Sequence, residues 1–335
     1  VKDPEEGWVN AGTYRCMLYG TDEKDKIFVS PRPTHHGRII IDKYHARGQS
    51  CPVAVCLGQE PSLWMASTYS GVAWGTSEFD FAGWLQGSPM EVVQGEITGL
   101  PIPATAEIVL EGEIPPVRET RPEGPFGEWL GYVTEPKHRK APVMTVKAIL
   151  YRDNPVILGA PPLKPPAPYS FALPLAAIAV WDQMEAAGVP GIKGVWIPVF
   201  DNSRAIVIAI KQMYPGHAKQ VALAAAGCHA GSTGGARFII IVDDDVDITN
   251  LGEVFWAVAT RCDADTIDIV KGLPVSGSDP LNTFEDTARW GYIKSRVIMD
   301  ACRPYMRIKD FPPVNVFSAA YREKMKNKWR HLLDI

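Results

Sequence analysis

The 335-residue chain has little cysteine: six residues (Cys16, Cys51, Cys56, Cys228, Cys262 and Cys302) spread along its whole length. That is too sparse for a disulfide scaffold, so reduced thiols and a cytoplasmic setting are expected. It has no surplus of one charge either. The 34 Lys and Arg stand against 38 Asp and Glu, a net of -4 with the signs interspersed, which leaves no basic stripe for nucleic acid and no polybasic patch for a membrane surface. Long apolar runs are also missing. The most apolar stretch, Phe171 to Trp181, is interrupted by Pro174 and falls far short of the roughly 20 residues that a bilayer demands. Neither nucleic acid nor a membrane is therefore expected as a partner. No Gly-x-Ser-x-Gly elbow and no Walker loop occurs, which removes two common routes to hydrolysis and nucleotide binding.

What is present is a chain with 46% hydrophobic residues, enough for a sizeable core and, at this length, for two domains. The first half reads as mostly β: short runs at Gly12 to Leu18, Ile39 to Ile41, Val53 to Leu57, Val92 to Ile97, Ala106 to Glu111, Trp129 to Val133 and Val143 to Tyr151. Punctuated by Gly and Pro, they suit a barrel or folded sheet with a few inserted helices. A proline-rich stretch, Ala160 to Pro168, cannot be helix interior or central strand and reads as a stiff connector. Beyond it helices and strands alternate: helix near Leu173 to Ala187, strands Gly194 to Phe200 and Ala205 to Lys211, helix His217 to Ala226, strand Arg237 to Val242, helix Leu251 to Arg261. That rhythm argues an α/β unit. The expected division is 1–160, a connector at 161–168, 169–312, and a C-terminal arm at 313–335 with a basic helix from Ala319 to Leu333. The chain opens Val-Lys-Asp-Pro, without Met and without a signal-peptide pattern, so a preceding N-terminal portion is expected.

Three groups of residues could carry chemistry. In Glu123-Gly-Pro-Phe-Gly-Glu128 an unbroken strand would send the two carboxylates to opposite faces, but Gly124-Pro125 and Gly127 break it, so both can turn towards one cavity. Two acids sharing a pocket resist joint ionisation, which makes one a proton donor; a surface hairpin of solvated glutamates remains the alternative. Arg15, on a segment where Thr13, Arg15 and Met17 share a face, is either a solvated edge or a carboxylate clamp. His35, His36 and Glu78, with the amide oxygen of Asn10, form the third group. Hard oxygen and imidazole donors suit manganese or magnesium sooner than a thiolate zinc site, and adjacent histidines point apart, so one of the two binds at most. Three other features are set aside: Gly227 to Gly235 as a loop, Asp243-Asp-Asp-Val-Asp247 as strand end and helix cap rather than calcium loop, and the Cys51/Cys56 pair as ordinary thiols.

At Pro122-Glu-Gly-Pro-Phe-Gly-Glu-Trp-Leu-Gly-Tyr132 the sequence resembles the UbiD family of reversible decarboxylases. The resemblance extends in the same order through Asn10 to Arg15, Pro103 to Gly112, Tyr214-Pro-Gly-His-Ala-Lys219, Val242 to Asp247 and Trp256 to Arg261. It implies an α+β fold in which a split β-barrel flavin-binding domain precedes an α/β C-terminal oligomerisation domain, with a further N-terminal domain of about 150 residues ahead of the Asn10 segment. It implies prenylated FMN as cofactor, Mn2+ and K+ as ions, a small carboxylic acid and CO2 as substrate and product, and a homodimer or homohexamer. Non-oxidative decarboxylation of an aromatic, heteroaromatic or α,β-unsaturated acid would proceed through a covalent adduct with the cofactor, which serves as electron sink.

By motif, Arg15, Glu123 and Glu128 would be the catalytic set, with Glu128 the proton donor. Asn10, Ala11, Gly12, Thr13, Tyr14, Arg15, Thr34, His35, Ala66, Ser67, Glu78 and Arg296 would line the cofactor, Arg296 standing where the family has a phosphate-holding lysine and Lys294 as its substitute. The divalent metal would fall to Asn10, His35 and Glu78, with His36 the alternative histidine, and potassium to Ala66, Ser67 and Tyr69. An ordinary FMN-binding redox flavoprotein and a non-catalytic assembly subunit are the competing readings. Trp64, Phe126, Phe311 and Phe317 are candidates for an apolar ring pocket.

Overall fold

The structure is a computed structural model and describes residues 1–20, 22–29, 31, 35–69, 71–116, 120–134, 137–164, 175–198, 204–233, 236–275, 279–282 and 293–333. In chain order the first part runs β1 (Cys16–Leu18), β2 (Lys26–Val29), α1 (His36–Ala46), β3 (Cys51–Leu57), α2 (Pro61–Thr68) and α3 (Glu78–Gln86). It continues with β4 (Val92–Gln94), β5 (Pro101–Pro103), β6 (Ile108–Ile114), β7 (Thr120–Glu123), β8 (Phe126–Gly127), β9 (Val133–Thr134) and β10 (Lys137–Tyr151).

Five of these strands form an antiparallel sheet in the order β1-β2-β10-β6-β3, with β7 added on β10. The 15-residue β10 holds it together, pairing with β7 through Lys137–Pro142, with β2 through Val143–Thr145 and with β6 through Thr145–Tyr151. Its register shifts between Lys137 and Lys140 and again between Val146 and Ala148, irregularities of the kind that bend a strand and re-aim it. At the exit of β7, Gly124 meets Met17 of β1.

Two strand expectations fail here: of Trp129 to Val133 only Val133 lies on a strand, β9, the rest being a turn and its exit, and the other is an isoleucine triplet. Ile39 to Ile41 lies inside α1, not on a strand. Three β-branched residues in a row favour a strand locally, but Gly37, Ile40 and Ile41 are buried while Ile39 is 38% exposed, a helical stripe. Ile41 joins Ile27, Val29, Val53, Ile114 and Met144 in one apolar cluster, and Arg38 Nε donates to Asp42 Oδ2 one turn on at 2.9 Å. Packing has overridden propensity. Helix α3 begins on a Ser77 cap, whose hydroxyl accepts from Phe79 N, with Glu78 in the first turn where a carboxylate suits the helix dipole.

The second part comprises α4 (Leu175–Ala186), β11 (Ile192–Trp196), β12 (Ala205–Ile210), α5 (His217–Gly227), α6 (His229–Thr233), β13 (Phe238–Asp243), α7 (Leu251–Arg261), β14 (Asp268–Pro274) and β15 (Ile293–Ala301). The sheet order is β11-β12-β13-β15-β14, with β12, β13 and β15 parallel and both edges antiparallel. Ile206, Ile208, Ile210, Ile239 and Ile241 face α4 and α5, while Val207, Ala209, Ile240 and Val242 face α7. The strands are buried on both sides, as parallel strands under helices must be. Helix α6 occupies part of Gly227 to Gly235, where a loop was expected, and Gly234 and Gly235 lie outside the described residues.

At the carboxyl end of β13, Asp243 accepts from Gln212 Nε2 (2.7 Å), Arg303 N (2.7 Å) and Nε (3.0 Å), and Arg261 Nη1 (3.1 Å). Arg261 also grips both oxygens of Asp245, at 2.8 and 3.0 Å. The acids read as strand end and helix cap thus divide: Asp243 and Asp245 hold arginines, and it is Asn250 whose side chain caps α7. The connector is described through residue 164, so its last prolines fall outside the described residues. After β15 the chain continues without regular structure, apart from a short turn at Tyr305–Arg307, into the helix Ala319–Leu333.

Candidate active site

The centre of the site is a cation between two acids. Arg15 directly precedes β1, which pairs on β2 and so reaches β10 and β7. Its Nε donates to Glu123 Oε1 and its Nη1 to Glu128 Oε1, the latter at 3.0 Å. Glu123 ends β7, and Gly124, at φ +104°, turns the chain out of it, a conformation that favours glycine. Glu128 then follows β8 and starts a turn in which Gly131 N donates to its carbonyl at 2.8 Å. The two glutamates therefore reach one guanidinium from opposite sides of a single loop.

Their surroundings differ. The Glu123 side chain is 2% exposed and that of Glu128 12%. The ring of Phe126, between them in sequence, lies against the guanidinium with 4.0 Å from its centroid to Cζ. Burial works against the Arg15 charge, yet hydrogen bonding and Coulomb attraction from Glu123, then Glu128, outweigh it and raise its pKa. The repulsion expected between neighbouring acids is thus offset by a cation, which spacing did not reveal because Arg15 lies 108 residues away from Glu123. Met17, on the Arg15 face as the alternation suggested, accepts from Gly124 N through Sδ at 3.5 Å.

The second cluster surrounds Glu78. Asn10 Nδ2 donates to Glu78 Oε1 and Ala11 N to Glu78 Oε2, both at 2.8 Å. Asn10 is 3% and Glu78 5% exposed, and burial raises the Glu78 pKa against those hydrogen bonds. Tyr14 OH donates to Asn10 Oδ1 at 3.5 Å and accepts from Gly37 N at 3.2 Å, while its ring stacks on His35 with 5.6 Å between centroids. Burial pushes the Tyr14 phenol up to about 12. A Cβ on Gly12 or Gly37 would run into this phenol. His35 is the N-cap residue of α1. His36 is turned elsewhere, edge-on to Trp8 and Trp74 at 5.8 and 5.2 Å.

Thr13 ties this segment to α2: its N–H donates to Ser67 O at 3.3 Å, and the Thr13 and Ser67 hydroxyls are 2.6 Å apart. Tyr69 N donates to Ala66 O at the end of the same helix, and Tyr69 packs against the apolar cluster of the second sheet. Among the described residues no three His, Cys, Asp or Glu side chains gather as a metal cluster; the expected set has only one carboxylate and one histidine beside the Asn10 amide. Thr34 lies outside the described residues.

Arg296 does not fit its expected part. It sits on β15, 2% exposed, where Nη1 donates to Ala226 O and Gly231 O and Nη2 to Ser232 O and Pro274 O, at 2.6 to 3.1 Å. Main-chain carbonyls already occupy the donors that a phosphate would need, and burial lowers its pKa. It is a tie between α5, α6 and β14. Phe317, expected in a ring pocket, is 69% exposed and stacks on Tyr321 of the C-terminal helix. A groove of about 780 Å³ runs along α3 between Trp8, Phe79, Trp84 and Met90, and none of Arg15, Glu123 and Glu128 lines it.

Comparison with known proteins gives the family and the fold. The model of the 3-octaprenyl-4-hydroxybenzoate carboxy-lyase Rift-related domain matches residues 1–165, and that of the C-terminal domain of the same enzyme matches residues 169–301. The chain belongs to the UbiD carboxy-lyase family. An uncharacterized protein from Archaeoglobus fulgidus is 31% identical over 346 residues, covering 100% of this chain and 68% of its own length. The phenolic acid decarboxylase of Bacillus subtilis is 31% identical over 314 residues, covering 91% of this chain and 62% of its own. Among solved structures, the UbiD-class enzyme HmfF from Pelotomaculum thermopropionicum in complex with FMN superposes with a TM-score of 0.81 at 26% identity, over 96% of this chain and 68% of that one. An evolved dimeric form of the same enzyme, in complex with prFMN, gives 0.74 at 25% identity, over 96% and 68%. The chain thus spans about two thirds of the length of these proteins, and it shares the mixed α+β fold of the solved UbiD-class structures.

Proposed function

We propose that this chain carries the acid-bearing and cofactor-holding part of a reversible, non-oxidative decarboxylase for an aromatic, heteroaromatic or α,β-unsaturated carboxylic acid. The observation that carries it is Arg15 bridging a sealed Glu123 and a more open Glu128. Arg15 Nη2 donates to neither glutamate, and that edge of the guanidinium is the one to orient the substrate carboxylate. Carbon dioxide leaves from the carbon so oriented, and Glu128 delivers a proton to the same carbon; its exposure lets water restore the proton. Glu123 stays sealed and fixes the plane of Arg15. In the reverse direction Glu128 takes the proton back.

The cofactor we assign is prenylated FMN, in a first sheet that we read as the split barrel of the family; when bound it supplies the electron sink that the departing carboxylate needs. The residues fit its metal. Glu78 is a buried carboxylate satisfied only by neutral donors in the contacts described above, and a divalent cation would balance it. Asn10 Oδ1, Glu78 and His35 offer a hard oxygen and imidazole set suited to Mn2+; His35 is preferred because His36 is engaged by two tryptophans. Ala66 and Ser67 carbonyls, at the C-terminal end of α2 where a helix attracts cations, with Tyr69 beside them, suit K+.

The test is mass spectrometry of the small molecule released on denaturation, after expression alongside a flavin-prenylating enzyme. Prenylated FMN is expected. Plain FMN, with no decarboxylation of a panel of aromatic and acrylic acids, would turn the assignment to a redox flavoprotein.

A further inference from the structure

Of the three side chains proposed for the divalent cation, two meet at Tyr14. Its ring stacks on His35, with 5.6 Å between centroids and 29° between planes. Its hydroxyl lies 3.5 Å from Asn10 Oδ1 and 3.2 Å from Gly37 N, in the first turn of α1. Tyr14 also packs on the apolar cluster that holds Ile27, Val53 and Met144. Room for the phenol is kept by two separate segments, since a Cβ on either Gly12 or Gly37 would collide with it.

The polar contacts have a direction. Gly37 N–H can only donate, so the phenol oxygen accepts from it, and the one phenol hydrogen is left for Asn10 Oδ1. At the other end of the same amide, Nδ2 donates to Glu78 Oε1 at 2.8 Å. An amide has nearly the same shape either way round, and its partners decide which end is the oxygen. Here a hydroxyl donor faces one end and a carboxylate the other, so the amide is held with its oxygen towards Tyr14. A carbonyl oxygen has two lone pairs. With one taken by the phenol, the second is left for a cation, whereas a flipped amide would present an NH2 group that binds none.

We infer that Tyr14 is a positioning residue of the divalent-cation site: its hydroxyl fixes the orientation of the Asn10 amide and its ring fixes the plane of His35. The inference rests on the metal assignment proposed above and adds to it a side chain that holds no cation itself. Outer partners of this kind are worth about 10- to 100-fold in metal affinity.

The test is Mn2+ titrated into the full chain, stripped of metal by a chelator and supplied with FMN. The unbound aquo ion is read by electron paramagnetic resonance, and binding is counted per folded chain. Tyr14→Phe keeps the ring and removes the donor, so affinity should fall at least about tenfold. Asn10→Asp offers two equivalent oxygens and has no orientation to lose. On that background the same Tyr14→Phe change should weaken binding by less than about twofold, the coupling that a double-mutant cycle isolates. Unchanged affinity in Tyr14→Phe, or an undiminished loss on the Asn10→Asp background, would overturn the inference and leave the metal assignment standing. A parent chain that takes up no Mn2+ would overturn both.

Discussion

The ring of Phe126 lies 4.0 Å from the guanidinium carbon of Arg15, on the same loop that supplies both acids. The ring therefore covers a face of the cation, and the two carboxylates take its Nε and Nη1 donors. Removing the aromatic face while keeping bulk, as in Phe126→Leu, gives up roughly 0.5–1 kcal/mol of cation–π attraction. Turnover should fall about two- to fivefold with little change in melting temperature, checked by kcat and KM on the same preparation.

Glu128→Gln keeps shape and hydrogen-bonding capacity but has no proton to give. We expect turnover to fall by at least about a hundredfold, the lower range for general acid catalysis, with cofactor content unchanged by absorbance. Unaltered turnover would remove Glu128 from proton delivery.

Glu78→Ala takes away one ligand of the proposed metal site and the partner of Asn10 and Ala11. Metal and flavin should be lost together, read as manganese by elemental analysis and flavin by absorbance per folded chain. Retention of both would move the metal site elsewhere.

Arg296→Met separates scaffold from phosphate binding. It removes the donors of four carbonyls, those of Ala226 and Gly231 in buried hydrogen bonds, at a cost on the order of 1–3 kcal/mol for a buried group left unsatisfied, so the melting temperature should drop by several degrees. Flavin per folded molecule should stay the same; a selective loss of flavin at unchanged stability would restore the phosphate role.

Hydrogen bonding from Arg261 holds the Asp245 carboxyl below its usual range, with the Coulomb pull of Arg261 and Arg303 adding to it against burial. A depressed folded pKa means the unfolded chain takes up the proton first as pH falls. The stability Asp245 contributes is then complete above the unfolded value of 3.8 and disappears as pH drops through the folded one. Asp245→Asn should lower the melting temperature near pH 6 and flatten its decline towards about pH 3.

The sequence was most legible where local signals agreed with packing. Leu251–Arg261 is a helix by its apolar spacing, and Ala205–Ile210 a strand by composition, and both fold so. The isoleucine triplet at 39–41 misled because β-branching favoured a strand, whereas a single buried stripe decides the helix. Glu123 and Glu128 could be brought together on paper by the glycines between them. What joins them to Arg15 is the bent β10, whose register shifts leave no mark in composition. His35 and His36 were indistinguishable by spacing; the fold gives them different neighbours, Tyr14 for His35 and Trp8 with Trp74 for His36. Arg296 misled in the same way, since only the folded chain reveals four carbonyls around it.

In open α/β sheets the crevice beyond the carboxyl ends of parallel strands is where small molecules ordinarily lodge. Here Asp243 fills that edge of the second sheet with the chain's own arginines and a glutamine. That mouth is stoppered from within at Asp243: a molecule seated there would first have to evict an interlocked set of ion pairs, and Asp243→Ala becomes a deliberate way of opening a polar cavity at that edge.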